Sequence, residues 1–333
     1  MSTDGDAPRA PTASSPAPAA ETAVQRYRRL AGERATGPTL WLDPAPTLHE
    51  DTLWRGLTRG GEARLLLARA TTTVREATLR LECSPDVACL VGEIAVATAL
   101  VRQTLHPDER IQVLVTHKGP VGQIVVDGWE SGGLRAYVQR PTALRSEHGF
   151  LLGEGTLQVT RSHDASGRVW RGTVELQGER VAHDMMRYLL ESEQILSLLD
   201  VDVQADARGV VAAAGYLVQL MPDGQREHLR TLTDNLDGLA PLRDGMTEQD
   251  PDARAWAEAL LRGLPWDMVA RTPVTFQCRC SEDRILAMLG ALPRQDIEEL
   301  AASKELLEMT CDYCRTGYRL APRRLEVLLE RPS

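Results

Sequence analysis

Lysine is nearly absent from this chain. Only Lys118 and Lys304 occur among 333 residues, so almost all positive charge is arginine. That is a compositional bias of the kind a source genome imposes, and it points to no function. Positive charge is also outnumbered: 38 Lys and Arg against 47 Asp and Glu leave a net charge of −9. Broad contact with a phosphate backbone needs a basic face, so nucleic acid is not an expected partner. No apolar run approaches the ~20 residues of a membrane span. The longest, Val87 to Val101, is shorter and contains Glu93. No G-x-x-x-x-G-K phosphate loop is present, so nothing predicts ATP use. Nor does any His/Asp/Ser set have motif spacing. His49, His106, His117, His148, His163, His183 and His228 are scattered, and each reads as a surface or turn residue. No enzyme is expected.

The first residues, MSTDGDAPRAPTASSPAPAAETA, lack the apolar and basic regions of a secretory signal. They are rich in Ala, Pro, Ser and Thr and carry no large apolar residue before Val24. Such a segment cannot bury enough surface to offset its ordering entropy, so residues 1–24 are expected to form a disordered tail. A cytoplasmic, soluble protein is expected.

Beyond the tail, the composition is that of a globular protein with room for one large domain and a small one, or two medium ones. Ser84-Pro85-Asp86 is a helix start, with serine as cap, proline at the first helical position and aspartate at the positive end of the dipole. The apolar VACLVGEIAVATALV that follows predicts an interior helix. Cys89 on it reads as a small buried hydrophobe. Cys83, just before the cap, reads as the more exposed of the two. A period of two then appears in RIQVLVTH, VGQIVVDG, LRAYV, GTLQVTR and WRGTVEL. A helix fits VAHDMMRYLLESEQ, and two more strands fit ILSLLDVDVQ and VVAAAGYLVQLMP. Strands and helices in blocks predict an α+β domain over residues 25–222, with mixed sheet and helix.

No strand pattern is visible from 223 to 272. Leu229, Leu232, Leu236 and Leu239 recur at 3-4-3 spacing and share one helical face. Asp250-Pro251 opens a second helix with Trp256, Leu260 and Leu264 along it, closed by Gly263-Leu264-Pro265. This is a helical connector whose apolar stripe must rest on something else.

Cysteine is scarce, but four of the six fall in the last segment, residues 273–333, as FQCRC and TCDYC. Cys278 and Cys280 form a C-x-C, and Cys311 and Cys314 a C-x-x-C. Soft thiolates at such spacing suit a tetrahedral zinc ion with Zn–S distances of about 2.3 Å. Structural disulfides would need a secreted context, and a thioredoxin-like pair would need a βαβ unit. An iron–sulfur cluster is compatible with four cysteines. Zinc is the preferred reading. Arg279 and Arg315 are placed to offset the charge of four thiolates, or simply to be solvated.

The C-x-C, a 30-residue interval, and Cys311-Asp312-Tyr313-Cys314 resemble the 33 kDa chaperonin family, the redox-regulated heat-shock holdases. SEQIL (Ser192 to Leu196), AAAGYLVQLMP (Ala212 to Pro222) and VGEIAVATALV (Val91 to Val101) extend the resemblance over roughly residues 25 to 330. It implies a chaperone core at 25–222, a helical linker at 223–272 and a zinc-binding switch domain at 273–333. It further implies that the zinc-bound reduced form, with one zinc per chain, is inactive. Peroxide or hypochlorous acid would form the disulfides Cys278–Cys280 and Cys311–Cys314 and release zinc. The linker, docked through Leu229, Leu232, Leu236 and Leu239, would then come free. The active form, a homodimer, would hold unfolded client proteins without ATP. Arg315 stands where zinc knuckles often have glycine, so Gly317 is expected to carry the turn. The rival reading is a constitutive protein- or nucleic-acid-interaction protein with a static zinc module.

Overall fold

The computed structural model describes residues 50–163, 165–178, 180–222, 224–239, 242, 254–303 and 305–329. The expected tail and the Asp250-Pro251 helix start lie outside the described residues.

The described residues open with two paired strands, β1 (Thr52–Thr58) and β2 (Ala63–Arg69), followed by helix α1 (Thr71–Arg80). Helix α2 (Pro85–Arg102) follows and is buried nearly all round, as its apolar sequence requires. Ser84 sits at its N-cap in extended conformation, but its hydroxyl makes no capping bond and is buried without a partner among the described residues. Its carbonyl still accepts from the Ala88 N–H, so the cap is a backbone one.

Then come β3 (Glu109–His117), β4 (Ile124–Gly128), β5 (Gly133–Val138), β6 (Gly155–His163) and β7 (Val169–Glu175). Helix α3 (Val181–Glu191) leads to β8 (Ser197–Asp206) and β9 (Gly209–Leu220). These match the expected strands and helix closely, because alternation of apolar and polar residues survives wherever one face of a strand is buried.

The stretch expected to be helical contains α4 (Arg226–Leu236) and α5 (Arg254–Leu260), but it ends in a strand, β10 (Trp266–Pro273). β10 is largely exposed. With little burial there is little hydrophobic alternation, and its strand state comes from pairing with β1. A short β11 (Thr275–Phe276) follows. Helices α6 (Glu282–Leu289) and α7 (Arg294–Ala302), a hairpin of β12 (Leu307–Thr310) and β13 (Gly317–Leu320), and α8 (Pro322–Leu329) complete the described chain.

Among the described residues three sheets result: β10-β1-β2-β9-β8, β11-β5-β4-β3-β6-β7, and the β12-β13 hairpin. Pairing is antiparallel except between β11 and β5, so the fold is α+β with a mixed sheet, as expected. Helix α2 packs against strands of both large sheets and lies between them. The main core therefore includes Leu66 and Leu217 of one sheet, Val113 and Val126 of the other, and Ile94 and Leu100 of α2. No helix among the described residues is long and apolar enough to cross a membrane.

The crossing from β10 to β11 ties the two sheets together. Between them, Val274 is 3% exposed in the main core. Its N–H donates to Asp51 O at 2.9 Å, and its carbonyl accepts from Thr73 Oγ1 at 3.0 Å. The strand meets Gly132, whose φ is +81°. A Cβ there would stand 1.7 Å from the Pro273 carbonyl oxygen, so only glycine fits.

Candidate metal centre

The four cysteines of the last segment converge. Cys278 Sγ lies 3.7 Å from Cys311 Sγ, and Cys280 Sγ 3.3 Å from Cys314 Sγ. All four sulfurs lie within 4.8 Å of one another. A tetrahedron of four sulfurs at 2.3 Å from one ion has edges of about 3.8 Å. The thiols are therefore placed to bind a single metal ion. Each short contact joins one cysteine of the first pair to one of the second.

Local structure explains the convergence. Cys278 and Cys280 leave β11 in the short stretch before α6, which is capped by Ser281 Oγ accepting from the Arg284 N–H at 3.2 Å. Cys311 and Cys314 span the turn between β12 and β13. Cys311 N–H donates to Thr316 O, and Arg315 N–H to Cys311 O at 2.8 Å. The turn is closed by Arg315 itself, with φ of +59°, whereas Gly317 is not in the left-handed region. The expectation that Gly317 carries the turn is thus corrected. The knuckle closes one residue after Cys314, and Gly317 already belongs to β13.

The electrostatics of the set favour a cation. Hydrogen bonds from Cys278 and Cys311 hold the Cys314 thiol far below its usual range. Bonds to Cys278 and Cys314 push the Cys311 thiol far above it. One thiol is thus favoured as thiolate and its neighbours are held protonated, and a divalent ion is what lets all four ionise. Tyr318 donates its hydroxyl to Cys280 Sγ at 3.0 Å, and Thr316 Oγ1 lies 3.1 Å from Cys314 Sγ. Around the centre the core is thin, built on Ile285, Leu289, Ile297, Leu320 and Leu325.

Residues far away in sequence dock this centre on the six-stranded sheet. The Arg135 guanidinium lies 3.9 Å from the Tyr313 ring centroid and pairs with Asp127 at 2.7 Å. Arg279 stacks at 4.5 Å on Trp129. Arg80, buried, reaches the Cys314 carbonyl at 3.4 Å, pairs with Glu76, and lies 4.9 Å from the Phe276 ring centroid. Arg279 thus has an aromatic seat, and Arg315 an ion pair to Asp312 at 3.8 Å. Arg80, Asp127, Trp129 and Arg135 carry no motif, and their role was not legible in the sequence.

The other cysteines stand apart from the four thiols. Cys89 is half-buried against the main core. Cys83, expected to be the exposed one, is 9% exposed in that core, because the chain folds it inward before α2. Burial pushes its thiol up to about 12. Two of the scattered histidines do meet: His106 and His163 stack with centroids 5.8 Å apart beside Asp108. In each ring Nδ1 accepts a backbone N–H, from Asp108 and Ser166 respectively. Both act as turn residues, as expected.

The leucine stripe meets the outer face of the five-stranded sheet. Leu232 is fully buried there, with Leu236 and Leu239 partly buried in the same cluster; Leu229 is half-buried and does not join that cluster. The sheet contributes Trp54, Leu65, Leu67, Tyr216 and Val218. The ring of Trp256 of α5 meets that of Tyr216 in a tilted contact at 5.1 Å, and Leu260 is fully buried. Asn235 ties α4 to the end of α5 through the Leu260 and Arg262 carbonyls. The Nε1 atoms of Trp54 and Trp256 are buried without a hydrogen-bond partner among the described residues.

The chain is similar to known proteins in sequence and in fold. The family pattern described as Hsp33 protein matches residues 51–321. The 33 kDa chaperonin of Thermus thermophilus is 33% identical over 294 residues, covering 83% of this chain and 85% of that protein. That of Symbiobacterium thermophilum is 32% identical over 285 residues, covering 82% and 95%. A solved structure of a 33 kDa chaperonin (heat shock protein 33 homolog) from Thermotoga maritima has the same fold. Its TM-score is 0.75 at 24% identity, with 85% of this chain and 98% of that chain covered. A match over most of the chain, with relatives of this identity, makes the chain a member of the Hsp33 family of chaperones.

Proposed function

We propose that this chain is a redox-regulated, ATP-independent holdase, whose reduced state binds one zinc through Cys278, Cys280, Cys311 and Cys314. The observation that carries the reading is the contact of four thiols within 4.8 Å, in a module with a thin core of its own. Sulfurs this close leave no room for the irons and sulfides of a cluster, which favours a single ion over an iron–sulfur centre. Structural zinc supplies on the order of 10–16 kcal/mol of folding energy, so its loss is enough to unfold such a module.

The switch is an oxidation with two equivalents of peroxide. Four zinc-bound thiolates, two H₂O₂ and four protons give two disulfides, one Zn²⁺ and four waters. The disulfides are Cys278–Cys280 and Cys311–Cys314. Sulfur loses four electrons in all, and peroxide oxygen gains them. With the ligands gone, the docked surfaces around Tyr313 and Phe276 lose their support.

The linker is the second part of the switch. Its leucines Leu232, Leu236 and Leu239 cover the apolar outer face of the five-stranded sheet, where the Trp54 and Trp256 indole N–H groups have no hydrogen-bond partner among the described residues. Undocking bares Trp54, Leu65, Leu67, Tyr216 and Val218, a face of the kind that binds exposed apolar segments of unfolding clients. The freed surface also accounts for dimerisation in the active state. Cytoplasmic residence fits the reducing conditions a resting zinc–thiolate switch requires.

The test measures zinc content and suppression of citrate synthase aggregation before and after peroxide. One zinc and no suppression in the reduced protein, then zinc loss and suppression after oxidation, is the expected result. Suppression that is the same in both states would instead favour a constitutive interaction protein with a static zinc module.

A further inference from the structure

The strand β10 lies between the linker helices and the metal centre. Among the described residues β10 is an edge strand, and β1 beside it is held on its other side by β2. Most of β10 is exposed to solvent, while β1 is mainly buried. The β1–β10 ladder shifts register between Arg55 and Gly56, so it is interrupted near its middle. Trp266 and Met268 of β10 pack in the same outer cluster as the linker leucines. Its far end runs through Val274 into β11 and Cys278.

Apart from Val274, which is seated in the main core, the anchors of β10 beyond its ladder with β1 are thus the parts that the proposed switch releases. Linker undocking removes the packing around Trp266 and Met268. Unfolding of the metal centre removes the pull on the other end. We infer that β10 then leaves, and that the bared edge of β1 takes up an extended segment of the client as a replacement strand. This inference rests on the holdase reading and deepens it. The occupant is an unfolded polypeptide segment of about five to seven residues in β conformation. Its alternate residues are apolar, because they fill the seats of Trp266 and Met268 on the outer face. Main-chain pairing is indifferent to side chains, which suits a chaperone that meets many sequences. An edge bared only on demand also avoids the standing aggregation hazard of an open strand.

Hydrogen exchange of the full chain tests this, read on peptides covering Thr52–Thr58 and Trp266–Pro273. Three states are compared: reduced, peroxide-oxidised, and oxidised with thermally unfolding citrate synthase. Oxidation is expected to speed exchange at least tenfold in both segments, and the client should restore protection in β1 alone. A synthetic peptide of residues 266–273, in excess, should also restore β1 protection and cut client holding several-fold; a scrambled peptide should not. If β10 stays protected while client is held, the client sits elsewhere and the inference fails while the holdase reading stands. Protection of β1 that needs no client and grows with protein concentration would assign the edge to a second copy of the chain, and also overturns it. If no client is held in any state, the holdase reading fails and takes this inference with it.

Discussion

The guanidinium of Arg135 lies 3.9 Å from the ring centroid of Tyr313, one of the two residues between the last two candidate ligands. One side chain of the large sheet thus touches the metal knuckle directly, while its charge is paired with Asp127. A desolvated cation–π contact of this kind is worth about 2 kcal/mol. Arg135→Ala should therefore loosen the centre without removing a ligand. Exchange over residues 275–280 should quicken about tenfold, and zinc should be lost at a lower peroxide dose. Arg135→Lys should recover only part of the effect, because lysine keeps the charge but not the planar stack. Unchanged exchange and unchanged zinc release in Arg135→Ala would mean that this contact does not support the centre.

Gly132 offers a purely steric test of the same docking. Its positive φ and the Pro273 carbonyl at 1.7 Å from a built Cβ leave no place for alanine. Gly132→Ala should destabilise the crossing between β10 and β11 by about 1–3 kcal/mol. Thermal unfolding should shift down, and zinc should exchange faster with a chelator. A variant with wild-type unfolding and zinc exchange would show that the crossing tolerates displacement.

Cys83 predicts an alkaline limit to stability. Its folded pKa is raised by burial to about 12, against about 9 when unperturbed. The folded state binds the proton more tightly than the unfolded state. Its contribution is therefore whole below about pH 9 and declines as pH rises from there toward 12, at up to about 1.4 kcal/mol per pH unit. Urea unfolding between pH 9 and 10.5 should show a shallower decline in Cys83→Ala than in the wild type. Parallel slopes would exclude the effect. Because neither thiol belongs to the cluster, Cys83→Ala/Cys89→Ala should retain oxidative activation; a variant that peroxide cannot activate would make the four-cysteine switch incomplete.

Leu232 is the strongest test of linker docking. It is fully buried in the outer cluster, whereas Leu236 is only partly so. A carboxylate at either position opposes docking, and unpartnered burial of such a group costs several kcal/mol. Leu232→Asp should suppress citrate synthase aggregation while still reduced and zinc-loaded, and Leu236→Asp should do so less strongly. Zinc content is measured in parallel. If Leu232→Asp keeps its zinc, frees its linker by hydrogen exchange and still holds no client, then linker docking is not what restrains the protein.

Much of this was readable from residues close together in the chain. The cysteine spacing, the apolar helix at Pro85–Arg102 and the alternating strands from Glu109 to Leu220 are local patterns. The leucine stripe was local too, although its seat on Trp54, Leu67 and Tyr216 was not. β1 and β2 are not legible because arginine and glycine interrupt the short apolar run of β1, and the consecutive leucines of β2 show no alternation. β10 was missed because an exposed edge strand needs no alternation and borrows its shape from β1. The docking of Arg135 on Tyr313, and of Arg80 on the Cys314 carbonyl, joins positions more than 170 residues apart, and no spacing rule reaches that far.

The pairing of β1 with β10 also bears on how the chain is made. Thr52 and Pro273 are register partners across 221 intervening steps of sequence. Closing a loop of that length costs on the order of 5 kcal/mol of chain entropy, so this ladder forms late. During synthesis β1 and β2 leave the ribosome with most of the protein still to come, and the sheet cannot be completed until residue 273 has followed. The nascent chain therefore passes through a stage in which its first strand is unpaired on one side. Translation speed and metal supply late in synthesis should set how long that stage lasts, and thus the yield of soluble protein.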